Sequence, residues 1–161
     1  MNHFRISTLL FAALSLFSIS AQAEKSPEAK MADSNGAKVE HINRDNSLNL
    51  PFSEAVRVDN ILFLSGQIGN IPRQMKVVEG GISAETRQTM TNIKNLMASQ
   101  NLTMNDLVKC TVMLADIKEW PAFNEVYREF FTPPYPARSA FAASGLALNA
   151  RVEVECIAAI K

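Results

Sequence analysis

The sequence predicts an α+β domain in which one sheet carries two helices packed on one of its faces. Three observations lead there. Short runs rich in Val, Ile and Leu recur from Val39 to the C-terminus, several with period-2 alternation. Two longer segments space their apolar residues at helical intervals. The order of the segments is strands, helix, strand, helix, strand, which suits two layers around one core. At 161 residues, 47% of them hydrophobic and 20% charged, the chain is long enough for one domain with a modest core.

The N-terminus reads as a targeting segment and lies apart from that domain. Met1–Arg5 is weakly positive, residues 6–18 are apolar and too short to span a bilayer, and Ala21-Gln22-Ala23 has the small-x-small pattern of a cleavage site. A signal peptide of residues 1–23, cleaved after Ala23, is expected, giving an exported, periplasmic or secreted protein with no membrane anchor afterwards. Residues 24–37 are polar and aperiodic, a flexible leader. The folded domain is expected to be 38–161.

Within the domain, a short strand is expected around Val39–Ile42. Ala55–Val58 and Ile61–Ser65 follow as a hairpin whose turn, Asp59-Asn60, tolerates positive φ. Leu64-Ser65-Gly66-Gln67-Ile68 leaves the second strand, with Gly66 where backbone can approach a ligand. Residues 72–81 read as loop. Ser83 is a candidate N-cap for a helix from Ala84 to about Ser99, with Met90, Ile93, Leu96 and Met97 as its apolar stripe. A strand is expected at Val108–Leu114. Asp116 and Glu119 have the spacing of a capping box for a second helix running to about Phe131. Its stripe is Trp120, Phe123, Val126, Tyr127 and Phe130, for which packing on the sheet is the default role. Pro133, Pro134 and Pro136 stop that helix. A short apolar segment follows, then a Gly/Asn/Ala turn and a last strand that begins at Val152.

In the last strand Val152, Val154 and Cys156 alternate with Glu153 and Glu155, so the carboxylates share the face opposite the apolar side chains. Arg138 precedes that strand. An Arg fork and a nearby carboxylate suit a small acidic substrate: the guanidinium binds a carboxylate bidentately, and Glu can orient or deprotonate a water. The bland alternative is a surface salt bridge between Arg138 and Glu153. The only cysteines, Cys110 and Cys156, are both expected on apolar strand faces, Cys110 with Val108 and Val112. Export permits a disulfide, but two buried free thiols are the weightier reading, because disulfide geometry is strict. No CxxC or Cys/His spacing occurs, and His3 and His41 are isolated, so no metal is expected. Sixteen basic residues balance sixteen acidic ones, which argues against a nucleic-acid footprint.

Ser65-Gly66-Gln67-Ile68, Pro136-Ala137-Arg138-Ser139 and the RVEVECIAAI run of residues 151–160 together resemble signatures of the Rid family, also called the YjgF family, over roughly residues 50–161. The resemblance implies a chorismate-mutase-like fold, a homotrimer with sites in the clefts between subunits, and hydrolysis of reactive 2-enamino and 2-imino acids to 2-oxo acids and ammonia without a cofactor. It implies that Arg138 grips the substrate carboxylate and that Glu153 stands beside the attacking water. Ser65, Gly66 and Asn124 are implied to line the cleft. Two positions depart from the family pattern. Phe52 stands where a Tyr is usual, and Ala140 where many members have Cys. Ala140 retains only a backbone N–H, and Phe52 an apolar wall. Loss of the Tyr hydroxyl keeps a second reading open, a non-catalytic protein that binds small carboxylates in the same cleft. A ribonuclease role, also attached to some members, sits poorly with zero net charge and an export signal.

Overall fold

The computed structural model of the chain describes residues 36–44, 47 and 49–161. The expected signal peptide and nearly all of the polar leader lie outside the described residues. Seven strands form one sheet: β1 (Val39–Ile42), β2 (Ala55–Val58), β3 (Ile61–Leu64), β4 (Gln67–Ile68), β5 (Leu107–Leu114), β6 (Ala137–Ala142) and β7 (Val152–Ala159). The order across the sheet is β1-β2-β3-β7-β5-β6, with β4 also paired to β7. Helices α1 (Gly81–Ser99) and α2 (Trp120–Arg128) complete the fold, which is the α+β arrangement expected.

The hairpin forms as its composition requires. Ala55 opposes Leu64 and Val58 opposes Ile61, with Asp59 at φ 51° in the turn. β4 extends beyond the expected turn, its Gln67 and Ile68 opposing Val154 and Glu153. The segment that carries Arg138 is a full strand. β6 runs parallel to β5 at the sheet edge, a crossover supplied by α2.

Two helix starts differ from expectation. α1 begins at Gly81 behind Gly80, whose φ of 114° only glycine adopts at low cost, so Ser83 lies in the first turn instead of capping it. Asp116 caps a 3-10 turn, Ile117–Glu119, by accepting from the Lys118 N–H at 2.9 Å. Glu119 does not close a capping box, because its carboxylate takes the Arg151 Nε at 2.6 Å instead. α2 also stops at Arg128, short of Phe131.

The core lies between the sheet and both helices. Met90, Ile93, Leu96 and Met97 of α1 are fully buried, as are Val112, Leu114, Val152 and Val154 of the central strands. Phe123 and Tyr127 of α2 join them. The opposite sheet face stays open and carries Thr111, Met113, Glu153, Glu155 and Ile157, with Phe63 and Phe141 both nearly half exposed. Val108 was expected inward beside Cys110. A bulge between Leu107 and Lys109 gives β5 one extra residue there and turns Val108 outward, 46% exposed.

The cysteines are not free thiols. Cys110 and Cys156 stand directly opposite one another on β5 and β7 and form a disulfide, their Cα atoms 4.1 Å apart. The closely spaced positions of an antiparallel pair bring Cα atoms to about 4.5 Å. The register of β5 on β7 therefore delivers the geometry that the spacing in sequence could not reveal.

Candidate active site

Arg138 enters on the helix face of the sheet. It opposes Cys110 in the parallel β5–β6 pair, and Cys110 points into the core, so both side chains leave the same face. The guanidinium lies against three rings of α2: its Cζ is 4.7 Å from the centroid of Tyr127, 5.4 Å from Trp120 and 5.6 Å from Phe123. Such contacts hold a cation by its faces and leave its N–H edge free. Tyr127 is fixed in turn by Phe123 and Phe131, with ring centroids at 5.3 and 4.7 Å. Its hydroxyl is buried without a hydrogen-bond partner among the described residues, and burial pushes the phenol up to about 12, so it stays protonated. A cavity of about 500 Å3 opens here, and Asn124 lines it with Arg138.

Glu153 leaves the other face. Its neighbours Val152 and Val154 are buried in the core, so alternation turns Glu153 outward, opposite Met113 and Ile68. Gly66 packs against it so closely that a Cβ on Gly66 would overlap the Glu153 carboxylate. Burial raises the pKa of the Glu153 carboxyl above the ordinary value, and the Glu155 carboxylate raises it further. This half-buried carboxyl lines a second cavity, of about 550 Å3, together with Phe52, Gly66, Gln67 and the amides of Asn92 and Asn95.

Hydrogen bonds from α1 fix the backbone on both sides of Glu153. The Asn92 amide donates to the Ile68 and Asn70 carbonyls at 3.1 Å each and accepts from Gln88 Nε2 at 2.8 Å, which anchors β4. The buried Glu85 carboxylate accepts the Arg151 backbone N–H at 2.7 Å, just before β7. Gly69 lets this happen, because a Cβ there would meet the Glu85 backbone at 2.8 Å.

The expected site residues therefore divide into two groups. Arg138 and Asn124 share one cleft, while Phe52, Gly66 and Glu153 share the other. Two strand spacings and three residues separate Arg138 from Glu153, roughly 14 Å between Cα atoms, and they lie on opposite faces of the sheet. A salt bridge between them within one chain is excluded. Among the described residues neither forms an ion pair. Ser65 and Ala140 line neither cleft. The Ser65 hydroxyl donates to the Ser53 carbonyl at 2.7 Å and holds the loop that carries Phe52. Ala140 opposes Val112 and packs against the core.

Trp120, Phe123 and Tyr127 were expected only as core. Their helical stripe is also the wall behind Arg138, a double use that spacing cannot signal. The motif Arg two residues after a Pro-rich stop was the available clue, since the chain must turn back there along the same helix.

Comparison with known proteins identifies the family and the fold. The family model described as endoribonuclease L-PSP matches residues 45–160. The chain is 34% identical over 153 residues to Reactive Intermediate Deaminase A, chloroplastic, of Arabidopsis thaliana, covering 93% of this chain and 81% of that protein. It is 41% identical over 111 residues to a 2-iminobutanoate/2-iminopropanoate deaminase of Dermatophagoides farinae, covering 69% of this chain and 87% of the relative. Among solved structures, RidA from an Antarctic Psychrobacter bacterium superposes with a TM-score of 0.66 at 36% identity, over 69% of this chain and 89% of that one.

Proposed function

This chain belongs to the endoribonuclease L-PSP family, the Rid or YjgF family, and from that premise we propose that it hydrolyses reactive 2-enamino and 2-imino acids to 2-oxo acids and ammonia. The observation that carries the reading is a guanidinium held by aromatic faces, with no carboxylate paired to it among the described residues, in a cleft open to a small anion. Arg138 would take the substrate carboxylate bidentately. Glu153 would orient and deprotonate a water that adds to the imine carbon. Glu153 passes that proton to the nitrogen and then relays the proton of the new hydroxyl the same way, so that the C–N bond breaks, ammonia leaves and the carbonyl of the 2-oxo acid closes. A carboxyl with a raised pKa is the better base for that proton transfer. The reaction also runs unaided in water, so positioning and a general-base contribution of about 10²–10⁴-fold suffice.

Arg138 and Glu153 act on one molecule only if two copies share a site. This supports assembly as a homotrimer, with the open face of Phe63, Phe141, Met113 and Ile157 turned inward and each cleft built between neighbours. Export is proposed too. The signal-like residues 1–23 support it, and so does a disulfide between the only two cysteines, a bond that persists in oxidising compartments.

The test is 2-imino acid hydrolysis by the purified protein, with imines generated in situ by an amino-acid oxidase. Arg138→Ala is expected to lower kcat/KM at least about 10²-fold with an unchanged far-UV spectrum and assembly state. Full activity in that variant would overturn the assignment. Phe52, which walls the Glu153 cleft without a hydroxyl, favours one rival reading, carboxylate binding without chemistry. Tight binding of a 2-oxo acid with no acceleration of any imine would select it.

A further inference from the structure

The Arg138 cleft holds a second cation that a monocarboxylate would not use. Arg128 lines the same cavity, one helical turn beyond Asn124 on α2. Its Nε donates to the Asn124 carbonyl at 3.3 Å, which directs the side chain along the cleft wall and leaves its terminal nitrogens available. Among the described residues no carboxylate lines the cavity; its other walls are Tyr127, Tyr135 and Pro136. Of the acids flanking it, Glu129 is already held by Arg87 through two bonds of 2.7 and 2.9 Å, and Glu125, three residues back on α2, lies outside the cavity lining and forms no ion pair among the described residues. Neither Arg128 nor Arg138 forms an ion pair among the described residues. Two uncompensated guanidinium groups therefore face one concavity of about 500 Å3, large for a substrate with a methyl or ethyl side chain. A concave site with one sign of charge concentrates the opposite charge, and two separated forks match a ligand with two separated carboxylates.

We infer that the preferred substrates are the 2-imino acids of acidic amino acids, dianions such as 2-iminosuccinate and 2-iminoglutarate. The α-carboxylate binds Arg138 and the side-chain carboxylate binds Arg128. The inference rests on the deaminase reading for its chemistry, which is unchanged. Water adds to the imine carbon, ammonia leaves, and oxaloacetate or 2-oxoglutarate forms with no oxidant or reductant. The reaction that supplies such a substrate is dehydrogenation of an acidic amino acid across its Cα–N bond.

The experiment compares imines generated from aspartate and glutamate with those from alanine and 2-aminobutyrate, in the full protein and in Arg128→Gln. The dianionic imines should have the higher kcat/KM, on the order of tenfold, since Arg128 is exposed and its charged hydrogen bonds are worth the lower end of their range. Arg128→Gln should remove most of that preference, lowering kcat/KM for the dianions about tenfold more than for 2-iminopropanoate. Calorimetric binding of 2-oxoglutarate and 2-oxobutanoate runs beside it and needs no turnover. Hydrolysis of 2-iminobutanoate without a preference for dianions, or a preference that survives Arg128→Gln, overturns the inference and leaves the deaminase reading standing. Tighter binding of 2-oxoglutarate that depends on Arg128, with no imine turned over, keeps the dianion site and overturns the hydrolase.

Discussion

Breaking the Cys110–Cys156 bond should destabilise the fold by about 4 kcal/mol, the chain-entropy cost of releasing a loop of this size. The two residues are 46 apart in sequence, and the loop they close contains β6 and all of α2. Both cysteines are buried, at 0% and 2% exposure, so reductant reaches the bond mainly through the unfolded state. The clean perturbation is therefore the double variant Cys110→Ala/Cys156→Ala, measured beside the oxidised protein. Each Ala removes one buried sulfur, which adds a small cavity cost in the same direction. At ~2 cal/mol/K per residue, a domain of this length has a melting entropy that converts 4 kcal/mol into a fall in Tm of roughly 15 °C. The assay is guanidinium unfolding at fixed protein concentration, because assembly would otherwise shift the midpoint. Unfolding free energies within about 1 kcal/mol of each other for the oxidised protein and the double variant would refute the reasoning. So would two titratable thiols in oxidised protein unfolded without reductant.

Three further outcomes bear on the site. Gly66→Ala should fold normally but lose on the order of 10²-fold in kcat with little change in KM, because the new Cβ displaces the flexible end of Glu153 and its general-base contribution; unchanged kcat would remove Glu153 from the mechanism. Burial and the Glu155 carboxylate both raise the Glu153 pKa, and a base must be ionised, so kcat/KM should fall as pH drops through that raised value. For stability the sign is opposite, since folding disfavours the ionised form, and this penalty fades as the pH falls and the carboxyl protonates. Glu155→Gln should move the acidic limb of the rate profile to lower pH, and an unmoved limb would separate the two carboxylates. Trp120, the only tryptophan, sits 5.4 Å from the Arg138 guanidinium, so its emission should change when 2-oxobutanoate binds and should not respond in Arg138→Ala.

The strands and the helical stripes were legible because each follows a period that one stretch of sequence carries by itself. Met90, Ile93, Leu96 and Met97 need no partner to declare their face, and Val152, Glu153 and Val154 need only alternation. What stayed hidden depends on register between distant segments. The disulfide exists because Cys110 falls opposite Cys156, and a slip of one residue would turn one sulfur to the other face. The Val108 bulge breaks alternation for a reason that lies in the pairing with Ile157 and Ala158. Glu119 satisfied a capping pattern in sequence, yet Arg151, 32 residues away, offered its carboxylate a charged donor. The family motifs single out Arg138 and Glu153 but say nothing of the rings behind the one or the α1 amides bracing the other.

The division of the site explains an otherwise costly pair of features. A buried or half-buried charge is normally paired, because desolvation opposes it. Here one chain keeps a cation against three aromatic faces and a carboxyl against Gly66 and Glu155, and neither has an ion-pair partner among the described residues. Pairing them with each other inside the chain would be simple in sequence and is impossible on the sheet, since β6 sends Arg138 to the helix side and β7 sends Glu153 to the open side. Each half is therefore available only to something that arrives from outside the chain. On the proposed reading, an imino acid between two copies would meet both demands at once. Its carboxylate would supply the anion that Arg138 lacks, and its imine carbon would take the oxygen of a water whose proton passes to Glu153. Leaving both open is the arrangement expected when the ligand and a neighbouring copy complete the site together.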